Sequence, residues 1–524
     1  MLEVAVAPVA LDRLRSVLVT EGWAALADAA ARGRALLAGR RVWNVNSTAS
    51  GGGVAEMLQA LLAYSRGAGV DARWLVVEGD AGFFAVTKRV HNLLHGSQGD
   101  GGPTGRAERA AYEQVLGREA AELKKLVSPG DIVLLHDPQT AGLAAELRAH
   151  GAHVVWRSHV GTDVRNAHTE QGWAFLQPYV GQAHATIFTR RAYVPDCVDP
   201  DSVWLIPPSL DPLSAKNRPL RLVDVVGTLR QVRIVAFWPG AEGSLEFVRR
   251  DGSPGAVRPH PDLSVLGGPV PADARVVLQV SRWDRLKDMT GVLAGFADHL
   301  DRMPADAHLL LVGPAAAGVS DDPEAGEVLA ECEEIWSSRP AAQQRRLHLC
   351  SLPMDDVDEN AHVVNALQSH ASVVVQKSLV EGFGLTVAEP MWKGRPVVAS
   401  RVGGIQDQII DGESGLLLAD PTDVAGCMRL VREVLVDAEL AARLGAAAHE
   451  RARDRFLGDR HLRQYVDLFH ALLNAHRRTQ ALRISSSDDD GVPPVEAGIP
   501  QAGSGGVDLQ GIGSSSDPPS AAPF

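Results

Sequence analysis

From Arg41 onward, short and mostly apolar β-branched runs alternate with segments of helical periodicity, the pattern of a parallel sheet covered by helices on both faces. The predicted strands are Arg41 to Asn46, Arg73 to Val77, Asp131 to His136, His153 to Arg157, Ala185 to Phe188 and Val203 to Ile206. They lack polar alternation, as strands buried on both faces should. Between the first two, Val54, Met57, Leu58, Leu61 and Leu62 recur at i, i+3, i+4, i+7 and i+8 and predict a helix. The pattern fails between about Asp211 and Ala272, where Pro, Gly and Arg are frequent, and this predicts an interdomain connection. It then restarts with strands at Arg275 to Val280, His308 to Val312, Leu347 to Ser351, Ser372 to Gln376 and Pro396 to Ala399. Helices are predicted at Thr290 to Leu300, Asn360 to Ser369 and Leu385 to Trp392.

These elements predict an α/β chain of two Rossmann-like domains, at 41–215 and 272–455, joined by a connection at 216–271. Leu11 to Leu37 reads as an amphipathic helix within an N-terminal extension, 1–40, because charged residues interrupt any signal-like apolar core. A helix at 456–483, with His461 to Leu472 at its centre, is expected to cross back to the first domain. From 484 to 524 the chain holds six acidic residues and no basic one among Ser, Gly and Pro, which predicts a disordered tail.

Composition narrows the function classes. A net charge of −13 argues against a nucleic-acid partner. No apolar run approaches the roughly 20 residues of a membrane span, so a soluble cytoplasmic protein is expected. Cys197, Cys332, Cys350 and Cys427 form no C-x-x-C pair and read as buried thiols in a reducing compartment. No acidic cluster suggests a metal.

Three segments carry candidate chemistry. Asn46-Ser47-Thr48-Ala49-Ser50-Gly51-Gly52-Gly53 leaves a strand and enters a helix, where glycines let backbone N–H groups approach an anion. Glu56 breaks the dinucleotide fingerprint and no Gly-Lys-Ser/Thr follows, so a ligand-free tight turn reads equally well. Ser281-Arg282-Trp283-Asp284-Arg285-Leu286-Lys287-Asp288 places two cations after the strand that opens the second domain, in outline a diphosphate clamp. Asp284 and Asp288 equally permit a solvated charged turn. The third, Gln376-Lys377-Ser378-Leu379-Val380-Glu381-Gly382-Phe383-Gly384-Leu385-Thr386-Val387-Ala388-Glu389, is the most specific. A continuous helix would set Glu381 and Glu389 about 12 Å apart, beyond the spacing of about 5 to 9.5 Å in a hydrolase pair. With Gly382 and Gly384 forming a loop, the two acids instead take separate tasks along one ligand. The N–H groups at Leu385 and Thr386 then face a phosphate.

At these residues the sequence resembles retaining glycosyltransferases of the GT-B fold, family 4, whose signature is Glu-x7-Glu. The first half is most similar to the glycosyltransferring trehalose synthases, through Asn46-Ser47-Thr48, Gly51 to Glu56, Arg73 to Asp80, Phe83-Phe84, Thr87-Lys88, His136-Asp137-Pro138-Gln139 and Trp156-Arg157-Ser158-His159. Gln376-Lys377-Ser378 agrees. The resemblance implies that Arg282 and Lys287 neutralise a donor diphosphate, Glu389 holds the nucleotide ribose and Glu381 a glucose hydroxyl. Gly384, Leu385 and Thr386 would cradle phosphate and sugar, and His159 would meet the sugar near the reacting centre. Gly52 and Gly53 would close on the diphosphate, while Asn46, Asp137 and Arg157 would place the acceptor. The partners so implied are a nucleotide-diphosphate glucose, glucose and trehalose, with no cofactor and no metal; a homodimer is left open. Val160-Gly161-Thr162-Asp163 shifts an acid that relatives carry sooner after His159, and the stretch Arg218 to Ala272 is longer than expected. A trehalose phosphorylase using glucose 1-phosphate and a non-catalytic sugar-nucleotide sensor are the competing readings.

Overall fold

The computed structural model describes residues 1–49, 52–236, 243–260, 263, 265–315 and 324–487. The predicted tail lies outside the described residues from 488 onward. Among the described residues, two seven-stranded sheets carry the architecture. The first is built from β1 (Leu2–Glu3), β2 (Arg41–Asn46), β3 (Asp71–Val76), β4 (Ile132–His136), β5 (His153–Arg157), β6 (Ala185–Phe188) and β7 (Val203–Leu205). Its order is β1-β3-β2-β4-β5-β6-β7, parallel except where β1 pairs antiparallel with β3. After the hairpin β8 (Glu246–Val248) and β9 (Pro254–Ala256), the second sheet uses seven further strands. They are β10 (Val265–Leu266), β11 (Arg275–Val280), β12 (Ala307–Pro314), β13 (Leu347–Leu352), β14 (Val373–Gln376), β15 (Val397–Ser400) and β16 (Leu416–Leu418). Their order is β10-β13-β12-β11-β14-β15-β16, with β10 the antiparallel edge.

Val133, Val154 and Ile187 in the first sheet, and Val277, Leu309 and Val373 in the second, are wholly buried, as strands covered on both faces must be. Both sheets reverse order at their first parallel strand, β2 and β11. The loops leaving those strands are the glycine turn and the Arg282–Lys287 turn, where open α/β sheets bind ligands. This is the GT-B arrangement expected.

Three expectations are corrected. The N-terminal segment is not one helix. It holds the edge strand β1, a 3-10 turn at Leu11–Ser16 and a helix at Thr20–Leu36. The break lets Val17 and Leu18 pack against the core of the second sheet. The stretch between the sheets is more than a connection, since it contains the helix Leu222–Gln231 and the β8–β9 hairpin. In that helix Val225, Val226 and Leu229 are buried, and Thr228 Oγ1 lies 3.3 Å from His362 Nε2 of the second domain. Cys197 is exposed, whereas the other three thiols are buried.

The helix Gly458–Ser487 runs past the predicted end at 483. Its Leu468, Phe469, Leu472 and Leu473 pack with Val42, Ile132, Leu134, Val155 and Ile187 of the first sheet. The same helix is therefore tied to the domain that precedes the connection. Phe469→Ala should cost about 3 to 5 kcal/mol by leaving an aromatic-sized void in this layer, read as a lowered urea midpoint with the slope unchanged.

Candidate active site between the two sheets

The second-domain half of the site is built on two loops tied to each other. Asp284 Oδ1 accepts from Leu286 N at 2.8 Å, which folds the Arg285–Lys287 turn, and Leu379 N donates to Leu286 O at 2.8 Å. Lys287 is thereby brought to Glu381, Nζ to Oε2 at 2.5 Å, while Gly382 N donates to Glu381 Oε1 at 3.1 Å. Both carboxylate oxygens are occupied. Arg282 stands at the rim, its side chain 57 % exposed and one terminal nitrogen 2.9 Å from Asp284 Oδ2. Beneath, the buried Lys377 pairs with Asp288, which caps the Met289–Asp298 helix from a left-handed conformation, φ 49°.

Gly384 has φ 88° and starts the Leu385–Trp392 helix. The left-handed cap turns the chain so that the first free N–H groups, at Leu385 and Thr386, open at the cleft. Glu389 lies inside the helix and is 2 % exposed. It accepts from Gln368 Nε2 at 2.9 Å and pairs with Lys216 Nζ at 3.2 Å. Lys216 pairs also with Glu56 of the first domain at 3.2 Å. Lys393, under the same helix, donates to Asn217 Oδ1 at 3.1 Å. Burial pushes its ammonium down to about 7, against the pull of Glu389.

The first domain supplies the other wall. His159 Nε2 is 3.0 Å from His136 Nδ1, whose Nε2 is 3.2 Å from Asn44 Oδ1. Burial, aided by the charge of Arg157, brings His136 down to about 3 and His159 well below its ordinary value. Both rings are neutral at physiological pH. Asp137, at φ 63°, accepts from His159 N at 2.7 Å, and burial raises its carboxyl to about 7. Gly53 packs so closely on the second domain that a side-chain carbon there would lie 2.9 Å from Leu385 Cδ1. Gly52 begins the helix Gly52–Gly67, while Ser50 and Gly51 lie outside the described residues.

Arg282, Lys287, Glu381, Gly384, Leu385, Thr386 and Glu389 thus lie on two linked loops and one helix of the second domain. Gly53 and the His159 carbonyl, 3.5 Å from where a side-chain carbon on Gly382 would lie, approach them from the first domain, and Asp137 holds the His159 backbone. Two predicted acceptor residues are used elsewhere. Arg157 is fully buried, donating to His461 Nε2 at 2.7 Å, Tyr465 Oη at 2.5 Å and Ile206 O at 3.0 Å. It fastens β5 to the C-terminal helix and does not reach the cleft, because the residue at that strand position faces the helix layer. Asn46 is also buried, accepting from Trp74 Nε1 at 2.8 Å and donating to Thr48 O at 2.7 Å. It shapes the glycine turn.

Sequence reasoning missed Lys216, in the stretch read as connection, and a set that joins the two walls. Tyr193 Oη donates to Gly382 O at 2.7 Å and Glu381 O at 3.0 Å. Asp163 accepts from Gly403 N and Gln406 Nε2, each at 2.8 Å, and from Arg190 at 2.6 Å. Arg190 also pairs with Asp407 at 3.0 Å and donates to Gly403 O at 2.5 Å. The displaced acid Asp163 was the available signal. His95 was passed over as well: its Cε1 is 4.0 Å from where a side-chain carbon on Gly382 would lie.

Among the described residues, no group of three or more His, Cys, Asp or Glu side chains is placed to hold a metal ion, and no helix is long and apolar enough to cross a membrane.

Two outcomes are expected from this geometry. Gly403 has φ 49°, and a side-chain carbon there would fall 1.7 Å from Glu381 O. Gly403→Ala should displace the Glu381 turn and abolish most activity while circular dichroism retains the α/β signature. The second concerns Asp137. Its carboxyl titrates near 7 when folded against about 3.9 when unfolded, so the unfolded chain holds fewer protons in between. Stability from this group is present below the unfolded value and is lost as pH rises toward 7. Asp137→Asn removes that term, so the wild type should lose urea stability relative to the variant between pH 4 and 8.

Comparison with known proteins follows the same lines. A family model for "Trehalose synthase, N-terminal domain" matches residues 44–195, and one for "Glycosyl transferases group 1" matches residues 268–451. A trehalose synthase of Rubrobacter xylanophilus is 35 % identical over 88 % of this chain and 97 % of its own length. That of Pyrococcus horikoshii is 32 % identical over 83 % and 91 %. A trehalose phosphorylase of Grifola frondosa is 25 % identical over 75 % of this chain, and the match spans 52 % of that protein. Among solved structures, an α,α-trehalose-phosphate synthase (UDP-forming) from Burkholderia xenovorans, in complex with glucose-6-phosphate, has a TM-score of 0.59. It is 14 % identical, with 83 % of this chain and 100 % of that one covered, which is a likeness of fold.

Proposed function

The chain belongs to the trehalose synthase family of glycosyltransferases, and from that premise we propose that it transfers glucose from a nucleotide-diphosphate glucose to glucose, with retention and without a metal, making or reversibly cleaving trehalose. The observation that carries the reading is the pairing of Lys287 with Glu381 at 2.5 Å directly beside the Gly384-capped helix start. A cation, a sugar-sized carboxylate acceptor and free N–H groups there converge on one spot between the sheets.

The donor diphosphate lies over the Leu385–Thr386 N–H groups, with Arg282 entering from the rim. Lys287 has three donors and holds Glu381 and a phosphate oxygen together. Glu381 is a poor covalent nucleophile because both oxygens are engaged. We therefore favour a front-face displacement. The bond from the anomeric carbon to the phosphate oxygen breaks, the acceptor oxygen bonds to that carbon on the same face, and the departing phosphate takes the acceptor's proton. The protein positions the reactants and stabilises the charge growing on the diphosphate. His159, neutral, contributes hydrogen bonding and no charge. Glu389 holds the ribose once Lys216 yields one of its partners.

The test is a product assay with glucose and each of ADP-, UDP- and GDP-glucose in EDTA, beside glucose 1-phosphate without nucleotide. Trehalose from at least one nucleotide sugar is the expected result. Trehalose only from glucose 1-phosphate would replace this reading with the phosphorylase, and nucleotide binding without product would replace it with a sensor. Lys287→Ala should lower kcat by about 100-fold or more with the KM for glucose little changed; equal losses in both would remove Lys287 from the proposed role.

A further inference from the structure

In the stretch Arg218 to Ala272, the described part from 243 to 260 lies against the second domain and is fastened there by charge. Arg249 pairs with Asp356 at 2.6 Å, Arg250 Nε with Asp358 Oδ1 at 2.8 Å, and Arg258 Nε with Glu359 Oε2 at 2.7 Å; His260 Nε2 stands 3.0 Å from Glu359. The three acids Asp356, Asp358 and Glu359 lie at or next to the start of the Val357–His370 helix, where negative charge is favoured by the helix dipole. The β8–β9 hairpin is therefore held in one place.

That place borders a solvent-open cavity of about 150 Å³. At one part of its wall are Leu385, Glu389 and Lys216; at another are Val248, Arg250 and Asp358. A nucleoside whose ribose meets Glu389 has its base in this cavity. Val248 is one of the exposed large apolar side chains, and it offers a flat apolar contact. Arg249 is committed to Asp356 and lies over the Phe247 ring, 5.3 Å from its centroid. Arg250 differs. Its side chain is 42 % exposed, and Asp358 holds it through Nε, which leaves two terminal nitrogens as donors in a fixed plane.

We propose that the β8–β9 hairpin is the base-selecting wall of the donor site, with Arg250 donating to a carbonyl oxygen of the base. The inference rests on the donor reading given above and deepens it. A guanidinium only donates. Uracil and guanine carry carbonyl acceptors, whereas adenine presents an amino donor where guanine has its carbonyl. Adenine offers such a donor only ring nitrogens, so the ligand class is a uracil or guanine nucleoside diphosphate, and Arg250 is a specificity-determining residue.

Calorimetric titration of the full chain with UDP, GDP and ADP tests this. In Arg250→Ala, the Kd for UDP and GDP should rise about tenfold relative to that for ADP, as expected for loss of one charge-assisted hydrogen bond. Arg250→Lys, which keeps a donor and the pair with Asp358, should recover part of that difference. A merely structural role would move all three nucleotides alike, and equal shifts or no shift would overturn the proposal. Binding of none of the three by the unmodified chain would overturn the donor reading and the hairpin's role together. Intact binding without base-dependent change in the variants would overturn the hairpin's role alone.

Discussion

The turn from Glu381 to Gly384 is gripped from both domains at once, and the cleft's geometry depends on that grip. Its carbonyls are held by Tyr193 of the first domain, and its neighbour Gly403 is held by Asp163 and Arg190. From below, Leu379 N bonds the Lys287 turn, and Lys287 holds the Glu381 side chain. A backbone segment with its polar groups paired on every side has few alternative conformations, because each alternative leaves buried donors or acceptors unpaired. The helix that follows inherits this precision. Its open N–H groups, at Leu385 and Thr386, are aimed by a turn that neither domain positions alone.

Much of the fold was legible because parallel strands buried on both faces write themselves as unbroken apolar runs. The β2, β5, β6 and β11 segments match the prediction residue for residue, as does the Leu385–Trp392 helix. Short elements escaped for a physical reason. β1 and β10 have two residues each, and the β8–β9 hairpin buries only alternate positions, so none generates a periodic signal. The Leu222–Gln231 helix was lost among the Pro, Gly and Arg around it, although Val225, Val226 and Leu229 have helical spacing.

The site divided similarly. Residues whose role is local were readable, since a cation after a strand or a glycine before a helix constrains its own neighbourhood. Arg157 and Asn46 misled because their polar groups satisfy long-range needs: Arg157 reaches His461 and Tyr465, some 300 residues away in the chain. A single sequence does not reveal whether a polar side chain at a strand end faces a cleft or a helix layer. Lys216 and Arg190 were invisible for the complementary reason, as their partners Glu389 and Asp407 lie in the other domain.

The cleft of this acidic chain holds its cations in ion pairs, and the diphosphate proposed as donor would have to enter among them. Lys287, Lys216 and Arg282 are each held by a carboxylate, so the cations are ordered before any ligand arrives. Cations left unpaired in a partly buried cleft would repel one another and cost more to desolvate. Paired, they are neutralised until a phosphate competes for them. Lys287 can add a phosphate to Glu381 without abandoning it, whereas Lys216 already divides itself between Glu56 and Glu389. Release of Glu389 toward a ribose would leave Lys216 with Glu56, on the first domain. Donor engagement and the contact between domains would then compete for the same ammonium, so the bridge would re-form as a nucleotide bound in the proposed way leaves.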